Sequence, residues 1–594
     1  MSTTTTAAGT TIADFAFRIG DAYGDRTAAR YQTAPGEWAD VSYRQLADDG
    51  IAIGRGLLDL GVQRGDKVAL LANTRPVWTS AHLGLTASGA VNVSVYPTNS
   101  PEECAWVVGN SDSVGIICED AEQVAKIVKV RDELPKLRWI VVIDGEADGA
   151  IPLAELRERG AKHDESELRE RAESITVDDA YMIMYTSGTT GPPKGVVLSH
   201  GNYRFMLESA PELSGIEADS VLYLFLPLAH AFALLFHLMV FDAGAKLVYW
   251  GGDATKLVPE LAQTQPTHLP AVPRIFEKVY AAVVGAQDEA TQAKMIGAAQ
   301  LGLKVRRMQA AGEEVPAELL EKFQQADEQL FTKVRGVFGG RLVRGISGGA
   351  PAGKEMLEFF YGAGIPITEG FGMTETSTGA AMNPVDAIRF GSVGKALPGQ
   401  EAKIADDGEL LVRGPNVFQE YYANPKATSE TLDAEGWLHT GDLATIDEDG
   451  YIFIVGRKKD IIITAGGKNI APANFENDLK QCRWVSQVVM HGDRRPYPIA
   501  LVTLDPETVG AWAVEKGLKP SVPELAANGE LRALIQEEVD RVNERYARVE
   551  QVKRFAILDR DLSQETGELT PTMKVKRKVV DEQFADVIEG LYAG

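Results

Sequence analysis

The chain has 594 residues, 45% of them hydrophobic and 24% charged. This excludes one compact core and extended disorder, so several globular lobes are expected. A formal net charge of −24 opposes long-range attraction to nucleic acid or anionic lipid, so a polyanionic ligand would need a site built from local amides and cations.

Residues 1–11 lack the basic start and apolar run of a signal peptide and read as a frayed tail. From Tyr43 the pattern alternates between helices and short strands rich in Val and Ile. Helices are expected over Tyr43–Leu60, Pro76–Ala87, Pro101–Gly109 (capped by Ser100) and Ala121–Glu133. Strands are expected over Val68–Leu71, Val91–Val95, Val114–Cys118 and Trp139–Ile143. Such alternation implies a mainly parallel sheet covered on both faces. A second α/β region follows Asp178. Its pattern is interrupted between about 286 and 337 by a stretch rich in Ala, Glu, Gln, Lys and Arg, split by Gly312 and Pro316, which reads as a solvated surface hairpin of helices.

Val221–Phe241 contains no Lys, Arg, Asp or Glu and is long enough to cross a bilayer. Pro227, His230 and His237 and the flanking α/β patterns favour a buried strand–loop–helix instead, with peripheral membrane contact left open. After Gly391, short strands and Asp/Gly turns indicate a β-rich subdomain to about 456. The polar run Gly456–Asp460 marks a domain boundary. The fold class expected is α/β: a large N-terminal domain of parallel α/β sheets with the β-rich subdomain (1–456) and a small mobile α+β domain (457–594). Cys104, Cys118 and Cys482 show no metal-ligand spacing and cannot all pair, which suits a reducing, cytoplasmic setting.

The strongest chemical signal is the segment Tyr185–Gly195, between an apolar strand, Tyr181–Tyr185, and another, Val196–Leu198. Gly188, Gly191 and Gly195 let backbone N–H groups turn toward an anion. The hydroxyls of Thr186, Ser187, Thr189 and Thr190 add donors, and Lys194 adds a charge. That is a phosphate-cradling loop. It is not a Walker loop, because Lys194 precedes Gly195 and a strand follows rather than a helix.

This loop resembles the signature of the adenylate-forming superfamily, which includes acyl-CoA synthetases, luciferases and peptide-synthetase adenylation domains. Further motifs occur in that superfamily's order. Ser347-Gly348-Gly349-Ala350-Pro351 resembles its adenine-binding turn. In Glu369-Gly370-Phe371-Gly372-Met373-Thr374-Glu375 the resemblance implies Phe371 against the adenine, Thr374 at the α-phosphate and Glu375, with Thr186, at Mg²⁺. Thr440-Gly441-Asp442 resembles the ribose clamp, with Arg457 reaching phosphate or ribose and Lys459 at an interdomain hinge. Gly466 and Gly467 match a loop that passes close to the pantetheine of CoA. Lys574, in Thr570-Pro571-Thr572-Met573-Lys574, aligns with the catalytic lysine, although Thr572-Met573 replaces the commoner Ser-Gly. His230 resembles the residue at the mouth of the acyl pocket, and Leu234 stands where some long-chain members place a tryptophan gate.

The resemblance implies ATP-dependent activation of a fatty, long-chain acid to acyl-AMP and then transfer to CoA, with ATP, Mg²⁺ and CoA as cofactor or co-substrates. The helical insertion and the Thr-Pro-Thr motif resemble long-chain members. Two alternatives stay open on sequence: a fatty acyl-AMP ligase that delivers to a carrier protein, and a non-catalytic acyl or nucleotide sensor. Oligomeric state is not readable.

Overall fold

The computed structural model describes residues 11–186, 192–209, 214–285, 287–570 and 573–593. Two large sheets carry the N-terminal lobe. The first is eight-stranded and its parallel centre comprises Lys67–Leu71, Val91–Val95, Gly115–Cys118, Trp139–Val142 and Ala180–Thr186. Strand Lys194–Ser199 then returns antiparallel to Ala180–Thr186, with Lys194 opposite Thr186. The second sheet is nine-stranded, and Lys246–Tyr249, Val221–Leu224, His268–Ala271, Arg344–Ser347 and Ile367–Phe371 run parallel within it. Their loops leave from carboxyl ends, where open α/β sheets bind ligands.

Local sequence explains the helices. Ser42 and Ser100 each close a reciprocal capping box, with Gln45 and Glu103, which fixes the starts of helices Tyr43–Asp59 and Pro101–Asn110. Val221–Phe241 is the strand Val221–Leu224, a loop, and the helix Ala231–Asp242. That helix is apolar around most of its circumference because it is buried between the two sheets, not because it spans lipid. Among the described residues no helix is long and apolar enough to cross a membrane.

The sheets are joined by polar contacts as well as apolar ones. Thr74 Oγ1 donates to the Leu226 carbonyl at 2.9 Å and accepts from the Leu228 N–H at 3.0 Å. Ser94 Oγ donates to the Ala229 carbonyl at 3.1 Å. These bonds from the first sheet pin the loop that presents His230 from the second.

The expected surface hairpin is helical but is not simply solvated. Helix Glu289–Ala310 crosses helix Lys354–Gly362 at backbone contact, since a Cβ at Gly302 would lie 2.3 Å from the Gly362 carbonyl oxygen. Met295, Ala299, Gly302 and Val305 are buried on that face. Composition concealed this because the closest contact of the buried stripe is made between two glycines.

After Gly391 a four-stranded antiparallel sheet forms from Glu401–Ile404, Glu409–Arg413, Leu438–Ile446 and Ile452–Arg457. Beyond it lie a two-stranded hairpin, Ile462–Ile463 with Asn469–Ile470, and a three-stranded sheet of Val485–His491, Ile499–Leu504 and Arg554–Ile557 with helices around it. Ion pairs link this last unit to the large lobe: Arg274 to Asp505 at 2.8 Å and Arg545 to Glu355 at 3.3 Å.

Gly302→Ala should therefore lower the thermal midpoint, with overpacking costing about 1–3 kcal/mol. Gly297→Ala, on the same helix with nothing within 4 Å of its Cβ position, should hold or raise it. Equal midpoints for the two variants would contradict the close crossing.

Candidate active site

The centre of the site is a carboxylate. Asp442 lies on strand Leu438–Ile446, cross-strand from Arg457. Its Oδ1 meets Arg457 Nε at 3.0 Å. Its Oδ2 is buried without a hydrogen-bond partner. Burial raises the Asp442 carboxyl, and the cations of Arg457 and Lys574 oppose that rise. A buried lone oxygen of this kind needs a donor. The turn that aims it is fixed: Thr440 Oγ1 donates to the Leu410 carbonyl at 2.7 Å and accepts from the Asp442 N–H at 3.1 Å. Gly441, at φ +72°, donates its N–H to Glu409 at 2.8 Å.

Lys574 approaches from the C-terminal unit. It lies within Coulombic reach of Arg457, Asp442, Glu375 and His230. Desolvation lowers its pKa first, then Arg457, while the two carboxylates raise it. Protein atoms crowd the side chain, yet it keeps exposed surface, as a group standing in an open cleft does. Thr570 and Lys574 close the turn, through Thr570 N–H to the Lys574 carbonyl at 2.8 Å and Lys574 N–H to Thr570 Oγ1 at 3.0 Å. Met573 sits there at φ +62°. The commoner motif has Gly at this position, so the departure seen in sequence places a side chain in the left-handed region, at about 1–2 kcal/mol.

His230 is half-buried and N-caps helix Ala231–Asp242, its Nδ1 accepting the Phe232 N–H at 3.2 Å. A backbone N–H can only donate, so Nδ1 carries the lone pair and the neutral ring presents Nε2–H. Burial, then the Lys574 cation, pushes its pKa down to about 4, so this tautomer persists at neutral pH. The Phe232 ring behind it meets Gly348, where a Cβ would lie 3.2 Å from the ring. Leu234 is fully buried in the core.

Gly349, Ala350 and Pro351 follow strand Arg344–Ser347, with Gly349 at φ +84°. Glu369 braces this turn by accepting the Ala352 N–H at 3.2 Å. Burial pushes the Glu369 carboxyl up to about 7. Gly370 and Phe371 end strand Ile367–Phe371, and Phe371 packs on the small core of the four-stranded sheet. Gly372 is required sterically, since a Cβ there would lie 1.7 Å from the Thr378 carbonyl oxygen. Thr374 opens the short turn Thr374–Thr376, after which Ser377 and Thr378 take φ of +49° and +97°. Such backbone persists where surrounding structure enforces it, commonly at functional sites.

Glu375 is buried, and its Oε1 accepts from Tyr421 Oη at 2.6 Å. Lys194 Nζ lies 4.0 Å from the Tyr421 ring centroid. Sequence reasoning did not single out Tyr421, because its short strand Glu420–Tyr421 carries no motif and one buried tyrosine reads as core. Thr186 ends its strand opposite Lys194; Ser187, Gly188, Thr189, Thr190 and Gly191 lie outside the described residues, as do Pro571 and Thr572. Lys459 is exposed, within Coulombic reach of Lys194.

Gly466 and Gly467 are not brought to this cluster. They turn the hairpin of Ile462–Ile463 and Asn469–Ile470. The adjoining Lys468 pairs with Glu550 at 3.2 Å, within the C-terminal unit. Among the described residues no three His, Cys, Asp or Glu gather as a preformed metal site. One carboxylate and a hydroxyl suit a hard cation that takes its remaining ligands from phosphate and water.

These elements define a nucleotide-binding α/β enzyme with its site at strand ends between a large and a small lobe. The chain belongs to the AMP-binding enzyme family: that family's profile matches residues 17–422, and the profile of the AMP-binding enzyme C-terminal domain matches 459–594. It is similar to the long-chain-fatty-acid–CoA ligase FadD15 of Mycobacterium bovis, 40% identical over 94% of this chain and 93% of that protein. It is also similar to the long-chain-fatty-acid–CoA ligase ACSBG2 of Xenopus laevis, 32% identical over 96% of this chain and 82% of the relative. Among solved structures it shares the fold of the anthranilate CoA ligase AuaEII bound to anthranoyl-AMP, at a TM-score of 0.74 and 21% identity, with 100% of each chain covered.

The raised Glu369 carboxyl gives a pH signature. Unfolded, it titrates near 4.5; folded, it holds its proton to about 7. The folded state binds more protons between these values, so this group's contribution to stability falls as pH rises through that window. Glu369→Gln removes the titration. Its stability relative to the parent should rise by about 3 kcal/mol between pH 4.5 and pH 8. Thermal midpoints across a pH series check this, and parallel curves would contradict it.

Proposed function

We propose that the protein uses ATP to convert a long-chain fatty acid to acyl-AMP and then transfers the acyl group to CoA, releasing AMP and pyrophosphate. The observation that supports this most strongly is the buried Asp442 with one unpartnered oxygen, braced by Arg457 and joined by Lys574 and His230. The relatives' names support the fatty acid and CoA. The three thiols, buried and unpaired, fit a reducing, cytoplasmic setting.

A carboxylate is a poor acyl donor because its leaving group is oxide. Attack of its oxygen on the α-phosphorus of ATP expels pyrophosphate and leaves a mixed anhydride with a good leaving group, AMP. Both reactants are anionic, so the barrier is electrostatic. Lys574 neutralises the carboxylate and the α-phosphate together as they approach. His230 donates Nε2–H to the acid and holds it against the apolar wall that includes Phe232. Asp442 Oδ2 accepts from the ribose, and Arg457 opposes the rise that burial gives that carboxyl. Gly349, Ala350, Pro351 and Phe371 form the adenine end. Thr186 and the loop to Lys194 hold the departing phosphates. Glu375 and Thr186 would hold Mg²⁺ together with the nucleotide, and the cation would further neutralise the phosphates.

Thioester formation needs the opposite surroundings: the lysine withdrawn and a passage for pantetheine. We assign residues 457–594 as a mobile domain that pivots near Lys459 and exchanges Lys574 for the Gly466–Gly467 turn, a hinge movement serving two chemical steps.

Lys574→Ala should cut adenylate formation about a hundredfold or more, the scale of removing one positive group at a developing charge. It should largely spare thioester formation from supplied acyl-AMP. Pyrophosphate release and CoA consumption, measured separately, check this; equal loss in both half-reactions would overturn the assignment of Lys574 to the first.

A further inference from the structure

Tyr421 stands between two opposite charges. Its ring face carries Lys194 Nζ at 4.0 Å and its hydroxyl donates to Glu375 Oε1 at 2.6 Å. Lys194 and Glu375 are Coulombically coupled, and the bridging contacts between them run through the tyrosine. The ring is held in place rather than free to drift. Strand Glu420–Tyr421 adds to the edge of the first sheet with Tyr421 opposite Val196, and the Tyr421 N–H donates to Thr428 Oγ1 at 3.0 Å. The Phe418 ring meets it edge-on at 4.8 Å, and the Phe418 N–H donates to the Glu375 carbonyl at 2.8 Å. The same segment thus fixes both the backbone and the carboxylate of Glu375.

An ammonium and a carboxylate this close in a partly desolvated cleft attract each other strongly. If they closed into an ion pair, each would neutralise the other. Lys194 would lose affinity for an anion and Glu375 for a cation. A tyrosine resolves this because it offers a cation-binding face and an anion-binding hydroxyl on one rigid group. It engages Oε1 and leaves Oε2 available.

We propose that Tyr421 is a positioning residue that keeps Lys194 and Glu375 apart, so that the lysine stays open to phosphate oxygens and the carboxylate to the divalent cation that accompanies them. This rests on the reading of Glu375 and Lys194 given under Proposed function.

Binding, not turnover, tests it. Mn²⁺ uptake by the enzyme with α,β-methylene-ATP is followed from the paramagnetic resonance of free Mn²⁺, and metal-free binding of the same nucleotide by calorimetry. Tyr421→Phe keeps the ring and loses the donor. It should weaken Mn²⁺ binding about tenfold, the scale of one hydrogen bond to a charged group, and leave metal-free nucleotide affinity within about twofold. Tyr421→Leu removes the spacer and should weaken both. In a Glu375→Gln background Tyr421→Phe should have no further effect on Mn²⁺. If Glu375→Gln weakens Mn²⁺ binding but Tyr421→Phe matches the parent, the positioning role is wrong and the metal reading stands. If Glu375→Gln itself leaves Mn²⁺ binding unchanged, the metal reading falls and takes this inference with it. Thermal midpoints identify a misfolded Tyr421→Leu, in which case Tyr421→Phe decides alone.

Discussion

A buried carboxylate beside a cation is stable only when its remaining lone pairs are answered, and Asp442 leaves one of its oxygens unanswered inside the protein. Much of the site follows from that constraint. The four-stranded sheet places Arg457 opposite Asp442, which offsets the burial of its charge. The strand carrying Arg457 is the last before the C-terminal unit, so the group that stabilises the carboxylate also stands at the junction of the two lobes. Lys574 is a third member of this charge group but comes from the far end of the chain. Its presence there depends on how the small lobe is seated, not on local sequence.

The rest of the site is assembled by pinning loops at strand ends. Thr74, in the loop after strand Lys67–Leu71, and Ser94, on strand Val91–Val95, fix the loop that leads to His230 from the second sheet. The resulting neutral imidazole has one defined donor. Glu369 fixes the turn through Gly349–Pro351, and its burial makes the carboxyl basic enough to be half-protonated near pH 7. Positive φ at Ser377, Thr378 and Met573 concentrates backbone strain in the turns that carry Glu375 and Lys574. At Ser377 and Thr378 the strain is tolerated because strands Ile367–Phe371 and Ala381–Met382 flank the turn.

Most of the regular structure was legible in the sequence. Helix Pro76–Ala87 and strand Val91–Val95 fall where their apolar patterns and breakers put them, because these elements are decided by local periodicity. The apolar run 221–241 resolved as strand, loop and helix on the strength of Pro227 and its histidines. Two things were not legible. The packing of helix Glu289–Ala310 depends on Gly302 meeting Gly362, a contact between residues whose types carry no hydrophobic signal. Tyr421 depends on three separate segments meeting, and nothing in its neighbourhood marks it as more than core. Motif order gave Asp442, Glu375 and Lys574 as candidates, but only the fold brings them within reach of one another.

The central claim is that Asp442 Oδ2 is the acceptor for a nucleotide ribose. It is tested most directly by calorimetric titration of AMP and of 2′,3′-dideoxy-AMP into the parent protein and into Asp442→Ala. The account predicts that the parent binds AMP at least about tenfold more tightly than the dideoxy analogue, the scale of hydrogen bonds to a charged group, and that Asp442→Ala binds the two alike. A parent protein that does not distinguish them, or a variant that still does, would place the ribose elsewhere and contradict the account.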